Sequence, residues 1–421
     1  MNSPIYFDLT ELFVASSKFR YYGISRVVAE IAYELSRLDP KVQFVAFSPG
    51  HKKFFKLDPI FSPEVPPHLL VDINVPLAAR PVRARLVYHR VPLLLQPFLW
   101  LRSWLIRTLN KNRWEKLGLR FEPIDLSHGV LVSMGRPKFM AEFLAHISPK
   151  DTLHFIPLLH DVMPLSSEGK PTLGPFFSNF LSDNNLVIRR ASKILVNSFS
   201  TRLELLRFEQ AGTLHPLPPI EVVQLAHECR ESFEPLHIKP PEANYLLCVG
   251  STLGRKNLDV VLEAFLVLQR RGTLKLSLVL AGTMRRRVKN ALASDRYKAI
   301  AHKVIPAIDP NQAELVRLYK SCTALVLPSF IEGWGLPAGE ALWFGRRVIC
   351  SDIPVLREVC GDQAHFFNPK NPESLADLIE AIDTPDRSYT MEHLDEGVKA
   401  VVRRSLRSWE RVAEDLLGKL H

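Results

Sequence analysis

The alternation of apolar and polar positions divides this chain into two series of strands and helices. "IYFDL" (5–9) is a short apolar run of strand type. Ile24, Val27, Val28, Ile31, Leu35 and Leu38 then follow helical spacing, and "VQFVAF" (42–47) is apolar again. A strand–helix–strand opening predicts a parallel sheet. The rhythm lapses over residues 50–120, where prolines stand at 59, 63, 66, 67, 76, 81, 92 and 97. It resumes at "IDLSHGV" (124–130), "HFIPLLHDVMP" (154–164) and "KILVNSFSTRLELLRF" (193–208). The proline-rich stretch 212–245 holds one strand-like run, "IEVVQL", and otherwise reads as an interdomain linker. A second series begins at "YLLCVG" (245–250) and continues through "LKLSLVLAG", "HKVIPAI", "TALVLPS", "RRVICS" and "AHFFNP". The expected fold class is therefore α/β, with two doubly wound Rossmann-like domains facing a cleft. In such sheets ligands bind beyond the carboxyl ends of the strands.

Composition narrows the picture. An apolar fraction of 47% against 23% charged residues excludes a disordered chain. The longest apolar stretch, "VPLLLQPFLWLRSWLI" (91–106), is short and interrupted by two prolines and an arginine, so it is not expected to span a bilayer. The opening "MNSPIYFDLTELFV" lacks the basic start of a signal peptide. The five cysteines (229, 248, 322, 350 and 360) form no C-x-x-C pair and sit in apolar surroundings, which suits core thiols in a reducing cytoplasm.

The net charge of +10 is concentrated: residues 80–120 hold ten Lys and Arg against one Glu. No zinc-finger, RRM or basic-zipper pattern accompanies that patch, so nucleic acid is not the expected partner. Phe98, Trp100, Trp104 and Trp114 lie among the cations. That mixture suits either peripheral contact with an anionic membrane or a helical hairpin that buries its tryptophans.

Two stretches carry the chemistry. In "PSFIEGWGLPAGEALWFGRRVICSDIP" (328–354), a strand end leads into a glycine-rich loop and a helix that Pro337 helps to start. Glu332 belongs to the loop, Glu340 is expected in the first helical turn, and the NH groups of Gly333, Trp334 and Gly335 are expected to be open to a ligand. Taken alone, Glu340 could merely stabilise a helix amino terminus, and Glu332 could be a solvated loop carboxylate. In "VGSTLGRKNLDVVLEAF" (249–265), Arg255 and Lys256 precede a helix whose apolar positions include Leu258, Val261, Leu262 and Phe265. Two cations at the positive end of a helix cost about 0.3–1 kcal/mol each, and a bound phosphate or diphosphate reverses the sign.

Together these stretches resemble the family-4 retaining glycosyltransferases, whose fold is GT-B. The matching features are the "G…RKN" loop, "IPAIDPNQAELVRLYKSCTALVLPS", the glutamate pair with seven residues between, the "GRRVICSDIPVLREVCG" segment and "FNP". The resemblance is specific over residues 245–417, including a closing helix, "SLRSWERVAEDLL". It is weaker over the first domain, where "YYGISRVVAEIA" and "HD" at 160–161 have counterparts. It implies a first domain over residues 1–225 on the acceptor side and a nucleotide-sugar domain over 226–400. Residues 401–421 would form a helix crossing back to the first domain.

The resemblance also implies roles. Arg255 and Lys256 would neutralise the diphosphate of a nucleotide sugar, and Glu340 would hold ribose hydroxyls. Glu332 would lie by the transferred sugar, with the backbone of Gly333, Trp334, Gly335 and Leu336 binding sugar hydroxyls and phosphate oxygens. The base would sit near Ile305 to Ile308. Gly23 would approach the diphosphate, and His160 would lie near sugar and acceptor, unless it is an ordinary buried histidine. Trp334 stands where phenylalanine is common. The chain contains no D-x-D, so no metal or other cofactor is expected. The "G-I-S-R-V" and "HD-x-x-P" features look like bacterial mannosyl- and rhamnosyltransferases, which implies GDP-mannose or a deoxyhexose relative as donor. The expected acceptor is a saccharide, lipid-linked, of O-antigen or capsule assembly. The alternatives are another GT-B sugar-phosphate enzyme, such as a phosphorylase or epimerase, and a catalytically silent saccharide-binding protein.

Overall fold

Nearly continuous apolar runs, rather than alternating ones, make strands that are buried on both faces. The computed structural model describes residues 4–14, 23–49, 51–58, 60–61, 70–72, 93–116, 123–126, 128–148, 152–166, 175–231, 235–242, 244–250, 253–284, 286–383 and 405–420. The chain divides into two units. The first comprises Met1–Leu165, Pro171–Gln224 and Trp409–His421, and the second Ser166–Lys170 and Leu225–Ser408.

In the first unit the strands are β1 (Ile5–Asp8), β2 (Gln43–Ser48), β3 (Lys53–Leu57), β4 (Ile60–Phe61), β5 (Leu70–Asp72), β6 (Pro123–Ile124), β7 (His128–Ser133), β8 (Thr152–Leu159), β9 (Ile194–Val196) and β10 (Ile220–Val222). The helices are α1 (Thr10–Val14), α2 (Gly23–Leu38), α3 (Gln96–Lys116), α4 (Pro137–Leu144), α5 (Pro175–Arg190) and α6 (Phe199–Gln210). Eight strands make one sheet in the order β10–β9–β8–β7–β1–β2–β3–β6, and β4 pairs with β5 apart from it.

Pairing is parallel from β10 to β2, with Phe7 of β1 opposite both Phe44 and Val132. The sheet is not parallel throughout, as the opening pattern had suggested. Strand β3 runs antiparallel to β2, and β6 antiparallel to β3. The reason is the short link after Ser48, closed by Lys52 N–H donating to the Ser48 carbonyl at 2.8 Å. So few residues can reverse the chain but cannot cross over it.

Helix α2 buries Val27, Val28, Ile31 and Leu35, the positions its periodicity assigned to the core. A last helix, α13 (Trp409–Lys419), belongs to this unit despite its place at the end of the sequence. It buries Trp409, Val412, Ala413 and Leu416, and its Lys419 carbonyl accepts from Lys193 Nζ at 2.6 Å.

The second unit contains β11 (Tyr245–Val249), β12 (Ser277–Gly282), β13 (Val304–Ile308), β14 (Ala324–Leu327), β15 (Arg347–Ser351) and β16 (His365–Phe367). They form one parallel sheet in the order β13–β12–β11–β14–β15–β16. Helices α7 (Leu258–Arg271), α8 (Arg286–Leu292), α9 (Gln312–Ser321), α10 (Leu336–Trp343), α11 (Pro354–Cys360) and α12 (Pro372–Asp383) connect the strands. Leu258, Val261, Leu262, Phe265 and Leu268 of α7 are buried, as their spacing predicts. Helix α9 opens with a capping box, in which Asn311 and Glu314 each accept from the other's backbone N–H.

Each sheet reverses its winding at one point: between β1 and β7 in the first unit and between β11 and β14 in the second. Loops leaving the strands on either side of such a reversal diverge and leave room for a ligand. All five cysteines are buried free thiols, and burial pushes those of Cys248 and Cys322 up to about 12. Among the described residues no helix is long and apolar enough to cross a membrane.

Candidate functional site

The second unit's reversal point gathers the charged residues singled out in the sequence. Strand β11 leads to Arg255 and Lys256, and β14 leads to Glu332. The two loops are fastened together, since Phe330 N–H donates to the Arg255 carbonyl at 2.9 Å. Lys256 Nζ lies 2.5 Å from Glu332 Oε1, and Ser329 Oγ donates to the same oxygen at 2.7 Å. Arg255 Nη1 lies 3.7 Å from Glu332 Oε2.

Burial alone would push the Glu332 carboxyl upward, but the Lys256 and Arg255 charges and the Ser329 hydroxyl outweigh it. Together they hold it below the usual carboxylate range. The exposures are graded: the Glu332 side chain is 8% exposed, Lys256 17% and Arg255 43%. Two cations facing outward from a buried carboxylate make a site that an incoming anion can share.

The local backbone explains why these residues project here. Asn257, the residue before α7, has φ +51° and donates through its side chain to the Pro369 carbonyl at 2.7 Å rather than capping the helix. Gly335 has φ +98°, and a Cβ there would come within 2.7 Å of Leu356 Cδ2. Gly339 meets the backbone of His227 closely, since a Cβ would lie 3.2 Å from the His227 Cα. His227 is itself fixed: Arg407 N–H donates to its Nδ1 at 3.1 Å and its Nε2 donates to the Val359 carbonyl at 2.8 Å.

One expectation needs correction. Glu340 is the fifth residue of α10, one residue past the first turn where it was expected, and no acid occupies that turn. It is buried, and its Oε2 accepts from Tyr319 Oη at 2.7 Å, so a hydroxyl rather than a helix terminus stabilises it. The loop Gly333–Trp334–Gly335 is buried. Trp334 packs edge-on to His227, with ring centroids 6.1 Å apart. Leu336 is half-buried, and Ile308, at the end of β13, is half exposed. The structure thus brings Arg255, Lys256, Glu332 and the glycine loop together in one unit.

Gly23 and His160 belong to the first unit. Gly23 opens α2 with φ +55° and is exposed. His160 follows β8 and is buried, with Nε2 donating to the Met134 carbonyl at 2.7 Å. Burial pushes its pKa down to about 4, against the hydrogen bond from the ring, so the imidazole is neutral.

Sequence reasoning passed over several partners. At the first unit's reversal point, Glu11 follows β1 and Arg136 follows β7, and Arg136 Nη2 lies 2.6 Å from Glu11 Oε1. Asp8 accepts from Ser133 Oγ at 2.6 Å and from the Thr10 N–H at 2.9 Å, and burial raises it to about 6. A carboxylate ending an apolar strand was the available signal for Asp8. Ser133 and Arg136 lie 125 residues from their partners, beyond the reach of any local pattern. In the second unit, Ser329 and Tyr319 were also missed, because Tyr319 sits at core spacing within α9.

Residues 230–389 match the family model of the glycosyl transferases group 1. The serotype-specific mannosyltransferase WbdA of Escherichia coli is 24% identical over 239 residues, which is 55% of this chain and 29% of that protein. The chain's match therefore spans less than a third of that relative. The O-antigen chain mannosyltransferase RfbU of Salmonella typhimurium is 43% identical over 70 residues, 17% of this chain and 20% of that one. Among solved structures, sucrose-phosphate synthase from Thermosynechococcus elongatus aligns over 99% of this chain and 98% of its own, with a TM-score of 0.61 at 16% identity. That likeness concerns the fold. The resemblance read in the sequence is supported where it is most specific: residues 230–389 match the glycosyl transferases group 1 model, and the chain has the GT-B fold.

Proposed function

We propose that this chain is a retaining hexosyltransferase. It would move a hexose from a nucleotide diphosphate sugar to a saccharide acceptor, lipid-linked, in the assembly of a bacterial O-antigen or capsule. The observation that carries the reading is the Arg255–Lys256 pair converging on Glu332 at the reversal point of the unit that holds the group 1 match.

In this reading Arg255 and Lys256 bind the diphosphate and stabilise the negative charge that develops as the anomeric C–O bond breaks. Glu332 faces the sugar as an electrostatic partner of the oxocarbenium character. The Gly333–Leu336 backbone binds sugar hydroxyls and phosphate oxygens, Glu340 holds ribose hydroxyls, and Ile308 flanks the base. Gly23 and His160 keep the donor-side and acceptor-side roles that the resemblance implies. The acceptor hydroxyl attacks from the leaving-group face. Its proton passes to the departing phosphate oxygen, which leaves nucleoside diphosphate and a product of unchanged anomeric configuration.

Two cations can serve as the charge partner of the diphosphate, so we propose that no metal is needed. The mannosyltransferase relatives support GDP-mannose, or a deoxyhexose relative, as donor. For a lipid-linked acceptor we propose a peripheral position at the cytoplasmic face of the inner membrane.

The test is release of nucleoside diphosphate from candidate sugar donors, with and without acceptor, in EDTA and in Mg²⁺. Acceptor-dependent release that EDTA leaves unchanged, with a retained linkage by NMR, is the expected result. Release dependent on phosphate, or donor interconversion without release, would indicate another sugar-phosphate enzyme. Donor binding without any turnover would indicate a silent binding protein.

A further inference from the structure

Four segments of the second unit converge on His227. Its ring packs edge-on to Trp334 of the glycine loop, with centroids 6.1 Å apart and planes at 72°. A Cβ on Gly339 would lie 3.2 Å from its Cα and 3.3 Å from its Cδ2, so α10 comes this close because Gly339 has no side chain. Its Nε2 donates to the Val359 carbonyl of α11 at 2.8 Å. Arg407 makes the fourth contact. The Arg407 N–H donates to Nδ1 at 3.1 Å, and the Arg407 carbonyl accepts from the His227 N–H at 2.8 Å.

Where these contacts fall along the chain gives them a use. The second unit's main segment runs from Leu225 to Ser408, with His227 near its beginning and Arg407 near its end. The reciprocal pair therefore fastens together two points at which the chain passes between units. On the other side, Trp334 and Gly339 extend the connection to the two glutamates: Glu332 stands two residues before the first, and Glu340 directly follows the second.

The bonding also fixes the chemical form of the ring. Nδ1 accepts and Nε2 donates, which defines the neutral tautomer protonated at Nε2. Burial lowers the pKa, opposed by the Val359 bond and aided by the Arg407 charge, so the neutral form is kept. A cationic ring would set an Nδ1–H against the Arg407 N–H. Trp334 needs such a neighbour, because its Nε1–H is buried and meets no acceptor among the described residues. The indole is seated by packing, the His227 ring included, and not by a hydrogen bond.

We propose that His227 is a positioning residue for the glycine loop. It holds Trp334 and Gly339, and through them Glu332 and Glu340, against the returning chain at Arg407. The placement rests on these contacts alone. Its use in holding a nucleotide sugar rests on the transferase reading above.

The test is hydrogen exchange by mass spectrometry on the full chain without ligand, comparing residues 332–340 with β12 and β13. His227→Ala removes the ring and both side-chain hydrogen bonds. Exchange over 332–340 should quicken about tenfold, while β12 and β13 keep the wild-type rate. His227→Gln loses the ring but keeps an amide able to donate toward Val359, and should quicken exchange by about threefold. It decides the question if the alanine variant does not fold. Unchanged exchange over 332–340 would overturn the proposal. So would equal acceleration across the second unit, the outcome expected of a histidine that merely stabilises the fold. Steady-state rates add a second readout: kcat should fall by about tenfold and the donor KM rise, with the acceptor KM unchanged. A loosened loop with wild-type donor kinetics would also overturn the positioning role. If the wild type transfers no sugar from any nucleotide donor, the transferase reading fails, and exchange alone decides this proposal.

Discussion

The winding reversals of the two sheets are built from the same parts in opposite order. In the first unit the loop after β1 supplies a buried carboxylate, Glu11, and the loop after β7 supplies its cation, Arg136. In the second the first loop supplies the cations, Arg255 and Lys256, and the second loop the carboxylate, Glu332. The difference lies in how the charges are used. Glu11 takes both the Arg136 side chain and the Arg136 backbone N–H, at 2.8 and 3.0 Å, and Asp8 and His160 nearby are shifted toward their neutral forms. Glu332 instead remains ionised and faces two cations, one of them 3.7 Å away and 43% exposed. The first reversal point sets one cation against Glu11, whereas the second sets two against Glu332. On the proposed reading, the second is where an anionic ligand would bind.

The most severe way to break this contrast is Lys256→Ala. Loss of a transition-state charge partner of this kind costs about 10²–10³-fold in turnover. Some stability is lost as well, because the buried Glu332 loses its 2.5 Å partner while keeping Ser329 and Arg255. Turnover is therefore compared at a temperature where circular dichroism shows the variant folded. Glu332→Gln should behave differently: free nucleoside diphosphate should bind at least as well as to wild type, since a competing carboxylate is gone, while turnover falls. Calorimetric titration beside steady-state rates makes the comparison. Near-normal turnover in folded Lys256→Ala would remove the diphosphate role.

A second experiment examines the first reversal point. Burial raises Asp8 to about 6, so its protonated form is favoured on folding. The stability this contributes is present at acid pH and is lost as pH rises from about 4 through about 6. His160 runs the other way. Its folded pKa of about 4 lies below the unfolded value, so its contribution is present above about pH 6.5 and lost as pH falls. The two slopes oppose each other between about pH 4 and 6. Asp8→Asn removes one of them, about two pKa units or roughly 3 kcal/mol. Relative to wild type, the variant should therefore lose about that much stability between pH 7 and pH 4 in urea unfolding. Parallel curves would show that Asp8 titrates normally.

Legibility in the sequence followed the range of the interactions. Helix α7, the six strands of the second unit and the Arg255–Lys256 and Glu332 loops were readable because each rests on apolar spacing or local chain chemistry. The antiparallel edge at β3 was not, because a tight link within a proline-rich stretch leaves no periodic trace. Glu340 was singled out but placed one residue too early, in the first turn, because α10 begins at Leu336, one residue before Pro337. Ser133, Arg136 and Tyr319 act through contacts that only the tertiary fold creates. The exposed leucines and aromatics of α3 were half legible: they were evident in the sequence, but the sequence does not say that they face outward. The basic run at 80–90 and Arg120 lie outside the described residues.

The smallest expected effect concerns Glu340, a buried carboxyl that accepts from a tyrosine hydroxyl. Tyr319 Oη holds its Oε2 at 2.7 Å, and the tyrosine ring is itself buried against Phe344, with centroids 6.0 Å apart. Tyr319→Phe keeps the ring and its packing but withdraws the donor. A tyrosine hydroxyl donating to a buried carboxyl contributes about 1–3 kcal/mol, and leaving its acceptor unmet costs a similar amount. If the hydroxyl merely stabilises the fold, the urea midpoint drops while nucleotide affinity stays level. If it orients Glu340 toward ribose hydroxyls, affinity for nucleoside diphosphate should fall by about fivefold, with the turnover number nearly unchanged. A donor lacking the ribose hydroxyls should be insensitive to the substitution. Equal losses for both donors would place Tyr319 outside nucleotide recognition.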